Sequence, residues 1–220
     1  MKIVIINGSP RKNGATAGIL RAMEDKLTEN GAETEFFNVC DMDISPCRGC
    51  CSCYKTGRCF IDDGGEMLSA KISEADGIII GSPTYASNVS GQLKQFIDRG
   101  HFVIEQLLYS KYAVSVATGE NYGSGDTSAV LNKLLKYSGA RLSGKIICDL
   151  PFGSGLTEKT REKAYRAADR LFTDISCKKA YFFQSLVHKI IFNAGIKPFV
   201  KRKGESYSGV ITKWKNIGIN

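Results

Sequence analysis

A chain of 220 residues allows one domain, or one domain with an appendage, and at 43% hydrophobic it can bury a real core. No run reaches the ~18 apolar residues of a membrane helix, so a transmembrane segment is not expected. The net charge of +8 belongs to the tail: from Lys178 onward nine Lys/Arg face one acid, Glu205, while residues 1–177 hold 21 of each sign, which argues against a nucleic-acid-binding core.

The first predicted element is Lys2–Asn7, a β-branched run that reads as a buried parallel strand. It is too short for a signal peptide, so a cytoplasmic protein is expected. The loop Gly8–Gly14 follows. It is small, polar and Gly-rich and leads into a helix over Ala15–Asn30 with Ile19, Leu20, Met23 and Leu27 on one face. Backbone N–H groups, the helix dipole and the hydroxyls of Ser9 and Thr16, with Arg11 nearby, suit one phosphate monoester. The spacing matches neither a Walker lysine loop nor a full dinucleotide fingerprint. Thr34–Val39 is the second strand.

Residues 43–63 form a cysteine-rich loop. Cys47, Cys50, Cys53 and Cys59 read C-x2-C-x2-C-x5-C, with Cys51 as an extra thiol. Two successive two-residue gaps gather three thiols around one point, as a [4Fe–4S] cluster requires. Zinc fits less well, because its structural sites pair two close ligands with two distant ones. Free or disulfide-prone thiols are the third reading. Cys40, Cys148 and Cys177 read as structural thiols. Eight cysteines in a cytosolic chain point to metal or redox chemistry rather than to disulfides.

A short helix is predicted over Gly65–Ser73 and the third strand over Gly77–Gly81. The loop that follows offers Pro83, Thr84, Tyr85, Ala86, Ser87 and Asn88, which suits the edge of a planar heterocycle; the plain alternative is a helix lead-in capped by Ser90. A helix opens at Gln92–Arg99. After the fourth strand, Tyr112–Thr118, glycines in Gly119–Gly125 permit close backbone approach. Thr127–Ser138 is helical, Lys145–Leu150 is the fifth strand, and Thr157–Cys177 is a long helix carrying Ala164, Ala168, Leu171 and Ile175. Five strands alternating with helices make a doubly wound parallel sheet, with 2-1-3-4-5 the favoured order. Ligands of such sheets bind beyond the carboxyl ends of the strands. The domain is expected to span 1–177, and 178–220 to form a helical, basic extension.

In that extension Ala180–Ala194 is apolar on most faces and is expected to pack on the domain or on a second subunit. This motivates an expected homodimer or homotetramer. The basic run Lys197–Lys203 suits a solvated surface, nicotinamide phosphates, an acidic partner or an anionic membrane surface. His101 and His188 read as structural, and Trp214 as an anchor for the tail.

The stretches N-G-S-P-R-K-N-G-x-T and G-S-P-T-Y-x-x-N-V-S-G-Q-L-K-x-F-I-D-R together resemble the NAD(P)H-dependent FMN reductases of the flavodoxin-like group. With the cysteine run between them, the chain is similar to the iron–sulfur flavoprotein branch over roughly residues 1–175. The resemblance implies a flavodoxin-like fold and FMN with its phosphate on Ser9, Arg11, Asn13, Ala15 and Thr16. It places the isoalloxazine against Pro83–Asn88 and against Thr118, Gly119, Glu120, Asn121 and Gly123. Ala15 departs from the family's frequent Asn and loses one side-chain contact. Many reductases of this group carry a related cysteine loop, and some are thought to bind no cluster. The implied activity moves electrons between NAD(P)H, FMN and a cluster or external acceptor, with no side-chain acid or base. Alternatives are an electron carrier that does not oxidise nicotinamide, and a redox- or metal-sensing module. The partner would be a nicotinamide or a redox protein. The sequence does not select NADH or NADPH.

Overall fold

The computed structural model describes residues 1–151, 153 and 155–219. Strands β1 (Lys2–Asn7), β2 (Glu33–Asn38), β3 (Gly77–Pro83), β4 (Tyr112–Gly119) and β5 (Arg141–Asp149) form one parallel sheet in the order β2-β1-β3-β4-β5. This is the order that the alternation of strands and helices predicts. Helices follow in chain order: α1 (Ala15–Glu29), α2 (Ser52–Thr56), α3 (Gly64–Glu74), α4 (Gly91–Arg99), α5 (Phe102–Glu105), α6 (Ser124–Tyr137), α7 (Glu158–Ser176), α8 (Phe182–Ile191), α9 (Lys197–Arg202) and α10 (Ser208–Asn216).

The period-two alternation of strands β1 and β3 divides the core. Val4, Ile6, Ile78 and Ile80 pack with Leu68, Ile72, Leu93, Phe96 and Leu131 on one side of the sheet. Ile3, Ile5 and Ile79 pack on the other with Ile19, Leu20, Met23, Leu27, Ala164, Ala168 and Leu171. Helices α1 and α7 therefore cover one face, and α3, α4 and α6 the other.

Most boundaries shift by one or two residues, and two elements begin three or more residues earlier than in the sequence reading. Strand β5 begins at Arg141 rather than Lys145, and its register with β4 shifts between Ala113 and Val114. It is an edge strand whose first residues, Arg-Leu-Ser-Gly, lack the apolar run that marks a central strand. Helix α6 begins at Ser124, three residues early, because Gly123 at φ +83° turns the chain into it.

The tail builds a third, smaller core from Phe192, Val200, Tyr207, Val210, Trp214 and Ile219, against Tyr54, Ile104 and Tyr109 of the main body. Trp214 Nε1 donates to the Ile104 carbonyl at 3.0 Å. The Tyr207 and Tyr54 rings stack with centroids 4.6 Å apart. Of the two expectations for this segment, packing on the domain or on a second subunit, the chain by itself leaves helix α8 with no buried residue.

Candidate functional site

Three loops leave the carboxyl ends of β1, β3 and β4 and are tied together by backbone and hydroxyl bonds. Gly8 N–H donates to the Gly81 carbonyl at 2.8 Å, and Ser90 Oγ donates to the Gly8 carbonyl at 2.5 Å. A side chain at Gly8 would meet Leu93 Cδ2 at 2.7 Å and Gly81 O at 2.9 Å, so glycine is required there. Thr16 Oγ1 and Thr118 Oγ1 share a hydrogen bond of 2.7 Å across 102 residues of sequence. Thr84 N–H donates to the Thr118 carbonyl at 2.7 Å, and Thr127 Oγ1 to the Asn88 carbonyl at 3.0 Å.

The first loop ends on Gly14, which caps α1 with extended backbone and no side-chain hydrogen bond. Among the described residues no side chain accepts from the first N–H groups of this fifteen-residue helix, which suit an anionic acceptor. Ser9 and Thr16 are buried beside them; Arg11 and Asn13 are exposed, and Ala15 is half-buried as the first helical residue. Ser9 N–H donates to Asn7 Oδ1 at 3.1 Å, and Asn7 Nδ2 donates to Asn38 Oδ1 at 2.9 Å, which fixes the loop to the end of β2. Lys12 turns away to Asp41, 2.6 Å distant, and that contact raises the lysine and lowers the carboxylate in pKa.

In the second loop Tyr85 and Asn88 exchange backbone bonds of 2.9 and 3.0 Å around Ala86 and Ser87, both at positive φ (49° and 57°). Two adjacent non-glycine residues in that region carry strain, and such strain concentrates at ligand sites. Pro83 is buried at the end of β3, and Thr84 Oγ1 is buried with no hydrogen-bond partner among the described residues. In the third loop Gly119 lies beside Asp149, and Gly123 lies close against Thr84 and Ser87. Glu120, Asn121 and Tyr122 are exposed, Tyr122 at 80%. The structure therefore brings the three nominated segments to one edge. An orphaned hydroxyl, an uncapped helix and glycine-lined backbone are what a phosphorylated, planar cofactor would complete.

The cysteine loop leaves the same edge after β2. Cys47, Cys50, Cys51, Cys53 and Cys59 all line one cavity of about 80 Å³, together with Tyr54, Arg99 and His101. Cys51 sits at φ 59° and Gly57 at φ 80°, so the short helix α2 is bracketed by two left-handed residues that fold the loop back on itself. All eight cysteines are unbridged. Among the described residues, no three His, Cys, Asp or Glu side chains stand close enough to hold one metal ion. The donor set nevertheless suits a cluster: cysteine thiols line one concavity on a loop with exposed positions. Burial, with Glu105 nearby, pushes the Cys53 thiol up to about 12.

Arg99 organises this loop, a role the sequence reading did not assign to it. It is 3% exposed and donates to the carbonyls of Ser45 (3.1 Å) and Ile61 (3.0 Å), to Cys59 Sγ (3.3 Å) and, in a short bond, to Asp63. Asp63 also accepts from Ser45 N (2.9 Å) and from Gly65 N (2.9 Å), where it caps α3. Burial alone would raise the Asp63 carboxyl, but Arg99 and the two N–H groups hold it below the usual range. The motif F-I-D-R marked Arg99 in sequence, yet nothing local pointed to a partner 36 residues away.

A family model described as NADPH-dependent FMN reductase matches residues 1–147. The chain belongs to that family. As a member of this family of FMN-binding flavoproteins, it is an oxidoreductase. An iron–sulfur flavoprotein of Clostridioides difficile (strain 630) is 34% identical over the whole of both chains. An iron–sulfur flavoprotein of Methanocaldococcus jannaschii is 41% identical over 59% of this chain and 68% of its own. The FMN reductase (NADPH) of Escherichia coli (strain K12) is 27% identical over 54% of this chain and 56% of its own. Among solved structures, an apo NADH:FMN oxidoreductase superposes with TM-score 0.58 at 20% identity, covering 79% of this chain and 89% of that one. A flavodoxin from the domain Archaea does so at 0.56 and 12%, covering 80% and 99%. These two superpositions establish the flavodoxin-like fold of this FMN reductase family member.

Proposed function

We propose that the chain is an FMN-dependent oxidoreductase that draws electrons from NAD(P)H and passes them to a [4Fe–4S] cluster on Cys47, Cys50, Cys53 and Cys59, or to an external acceptor. The observation that carries this reading is the meeting of three strand-end loops over an uncapped helix, with Thr84 Oγ1 buried and unpartnered among the described residues. Bound FMN supplies the hydride acceptor and can release its two electrons singly to an iron–sulfur centre.

The chain's residues bind and orient. Ser9 and Thr16 hold a phosphate monoester with the first N–H groups of α1, while Arg11 and Asn13 reach it from the open side and Ala15 contributes its backbone. Pro83, Thr84, Tyr85, Ala86, Ser87 and Asn88 border the ring system on one side. Thr118, Gly119, Glu120, Asn121 and Gly123 border it on the other. Hydride transfer to such a ring needs position and polarity rather than a side-chain base.

The reading includes a cytoplasmic location and assembly as a homodimer or homotetramer. Unbridged cysteines support the first. The exposed rings of Phe60, Tyr85 and Tyr122, one on the cysteine loop and one each on the loops after β3 and β4, support the second. Curated relatives named iron–sulfur flavoproteins support the cluster half of this reading; a second reading is an electron carrier that does not oxidise nicotinamide.

One anaerobic preparation separates them. FMN, iron and acid-labile sulfide are measured on the same sample, with steady-state oxidation of NADH and NADPH. One flavin and about four irons per chain with nicotinamide turnover match the proposal. Both cofactors without turnover select the carrier, and absence of flavin binding overturns both.

A further inference from the structure

Helix α8 presents an apolar face that the chain leaves uncovered. Phe182, Phe183, Leu186, Val187 and Ile190 share one side by helical spacing and are 71, 79, 44, 51 and 59% exposed. The other side is fastened to the body by polar groups. Gln184 Oε1 accepts from Leu142 N–H at 2.8 Å and its Nε2 donates to the Leu142 carbonyl at 3.1 Å, so this amide occupies the open edge of β5. His188 Nε2 bonds Gln106 Oε1 at 2.6 Å. The helix is thus anchored with its aromatic face turned outward.

The charge flanking that face is predominantly positive, with Glu205, exposed two residues beyond Lys203, the tail's single acid. The helical run continues from α8 through a wide turn at Phe192–Ile196 into α9. Lys178 and Lys179 precede the apolar face, Lys189 lies within the helix, and Lys201, Arg202 and Lys203 follow it, all exposed. Of these, Lys178, Lys189, Lys201, Arg202 and Lys203 pair with no carboxylate among the described residues, while Lys179 pairs with Asp174.

A second copy docked face to face on α8 would set one tail of net +8 against another. An anionic bilayer answers both the apolar and the cationic parts of the surface: rings and aliphatic side chains enter the interfacial region, and Lys/Arg groups meet the headgroups. We propose that α8 and its basic flanks dock the protein on an anionic membrane surface, with Phe182, Phe183, Leu186, Val187 and Ile190 as the inserted face.

Flotation of the full-length, flavin-loaded protein with lipid vesicles tests this. Vesicles of phosphatidylcholine with about a third phosphatidylglycerol should carry the protein, and phosphatidylcholine alone should not. The double change Phe182→Glu/Phe183→Glu, and separately Lys201→Glu/Arg202→Glu/Lys203→Glu, should each lower the bound fraction by ~10-fold or more. These positions are exposed, so circular dichroism and flavin content should stay unchanged. Salt at about 0.5 M should weaken binding. No binding to the anionic vesicles overturns the proposal. So does binding that the Phe changes leave intact, or a dimer that those changes split while vesicle binding persists; that last result would assign the face to a second copy.

Discussion

Arg99 Nη2 donates to Cys59 Sγ at 3.3 Å from the last turn of α4, the helix whose first turn is capped by Ser90. The Ser90 hydroxyl in turn donates to the Gly8 carbonyl, in the loop that precedes α1. One nine-residue helix, about 14 Å long, therefore joins the nominated flavin edge at one end to the cysteine loop at the other. A change at either end of α4 has a rigid route to the other.

Replacing Arg99 with Met should be severe. The change strips a buried carboxylate of its cation and four acceptors of their donor. Breaking a buried pair in this way costs about 3–5 kcal/mol. Both side chains are less than a tenth exposed, at 2% and 8%, so solvent gives little relief. Urea unfolding should show the loss as a lower midpoint. Asp63→Asn alone should cost less than Arg99→Met, because it leaves a buried guanidinium that still has three acceptors.

The same pair sets an acid limit. Asp63 has a lowered pKa in the folded chain, so it binds fewer protons there than in the unfolded chain. Its contribution is complete above the unfolded value of about 4 and is lost as pH falls through the folded value. Stability measured from pH 7 down to pH 2 should therefore drop below about pH 4, and Asp63→Asn should flatten that part of the curve. An unchanged slope in Asp63→Asn would mean that other carboxylates govern the acid limb.

Flavin binding should separate phosphate from ring. Ser9→Ala/Thr16→Ala removes two buried hydroxyls beside the start of α1. Hydrogen bonds to a charged group are worth about 1.5–3 kcal/mol, so FMN should weaken by ~10-fold or more while riboflavin moves little. Fluorescence quenching titrations with both ligands read this directly. Equal losses for the two would remove the phosphate from this loop.

The sequence displayed the sheet where the physics was local. Strands β1, β3 and β4 are buried on both faces and so read as largely apolar runs, with small Ser115 inside β4, and Gly8, Ser9 and Thr16 announce a strand-to-helix turn by composition. Strand β5 began too late because Arg141–Gly144 is edge strand with polar positions. Helix α5, framed by left-handed His101 and Gln106, carried no recognisable signal. The Asp63–Arg99 pair and the seating of the tail on α2 are contacts between segments distant in sequence, which no periodicity reports. The apolar character of Ala180–Ala194 was legible, but which of its faces would stay open was set by Gln184 and His188 finding partners on β5 and at Gln106.

The seating of the tail can be probed at Gly209. A β-carbon there would fall against the backbone of Gly57 and within 2.8 Å of Lys55 O and Thr56 C. These are backbone atoms at the end of α2, so they cannot rotate away. Ser208 Oγ already donates to the Lys55 carbonyl at 3.1 Å, which confirms how closely α10 approaches. Gly209→Ala should displace α10 from the cysteine helix at about 1–3 kcal/mol, the range for overpacking. Trp214 is buried in the tail core and should report the change by a red-shifted emission. Protease sensitivity between residues 203 and 208 should rise, while FMN affinity should hold. If Trp214 emission and proteolysis are both unchanged, α10 accommodates a methyl group by some shift of its own.

The cysteines give the last test. Cys47, Cys50, Cys53 and Cys59 supply four thiols from one segment, and together with Cys51 they line one cavity. Loading iron asks Cys53 to ionise from a half-buried, neutral state, so metal binding should release protons and weaken as pH falls. Single changes of the four to Ala should remove iron after anaerobic reconstitution and leave FMN bound, because among the described residues none of the four hydrogen-bonds to the loops after β1, β3 and β4. Cys51→Ala should spare both cofactors. Cys51 occupies a left-handed position, so Cys51→Gly should be tolerated at least as well as Cys51→Ala. Arg99→Lys adds a readout that iron content alone does not. It keeps a cation near Cys59 but breaks the fork that bonds sulfur, carboxylate and carbonyls together. A loaded cluster in that variant should therefore show a shifted reduction potential at similar iron content. Reconstitution that stops well short of about four irons per chain, with FMN still in place, would make the loop a thiol-redox or structural element and leave a plain FMN reductase.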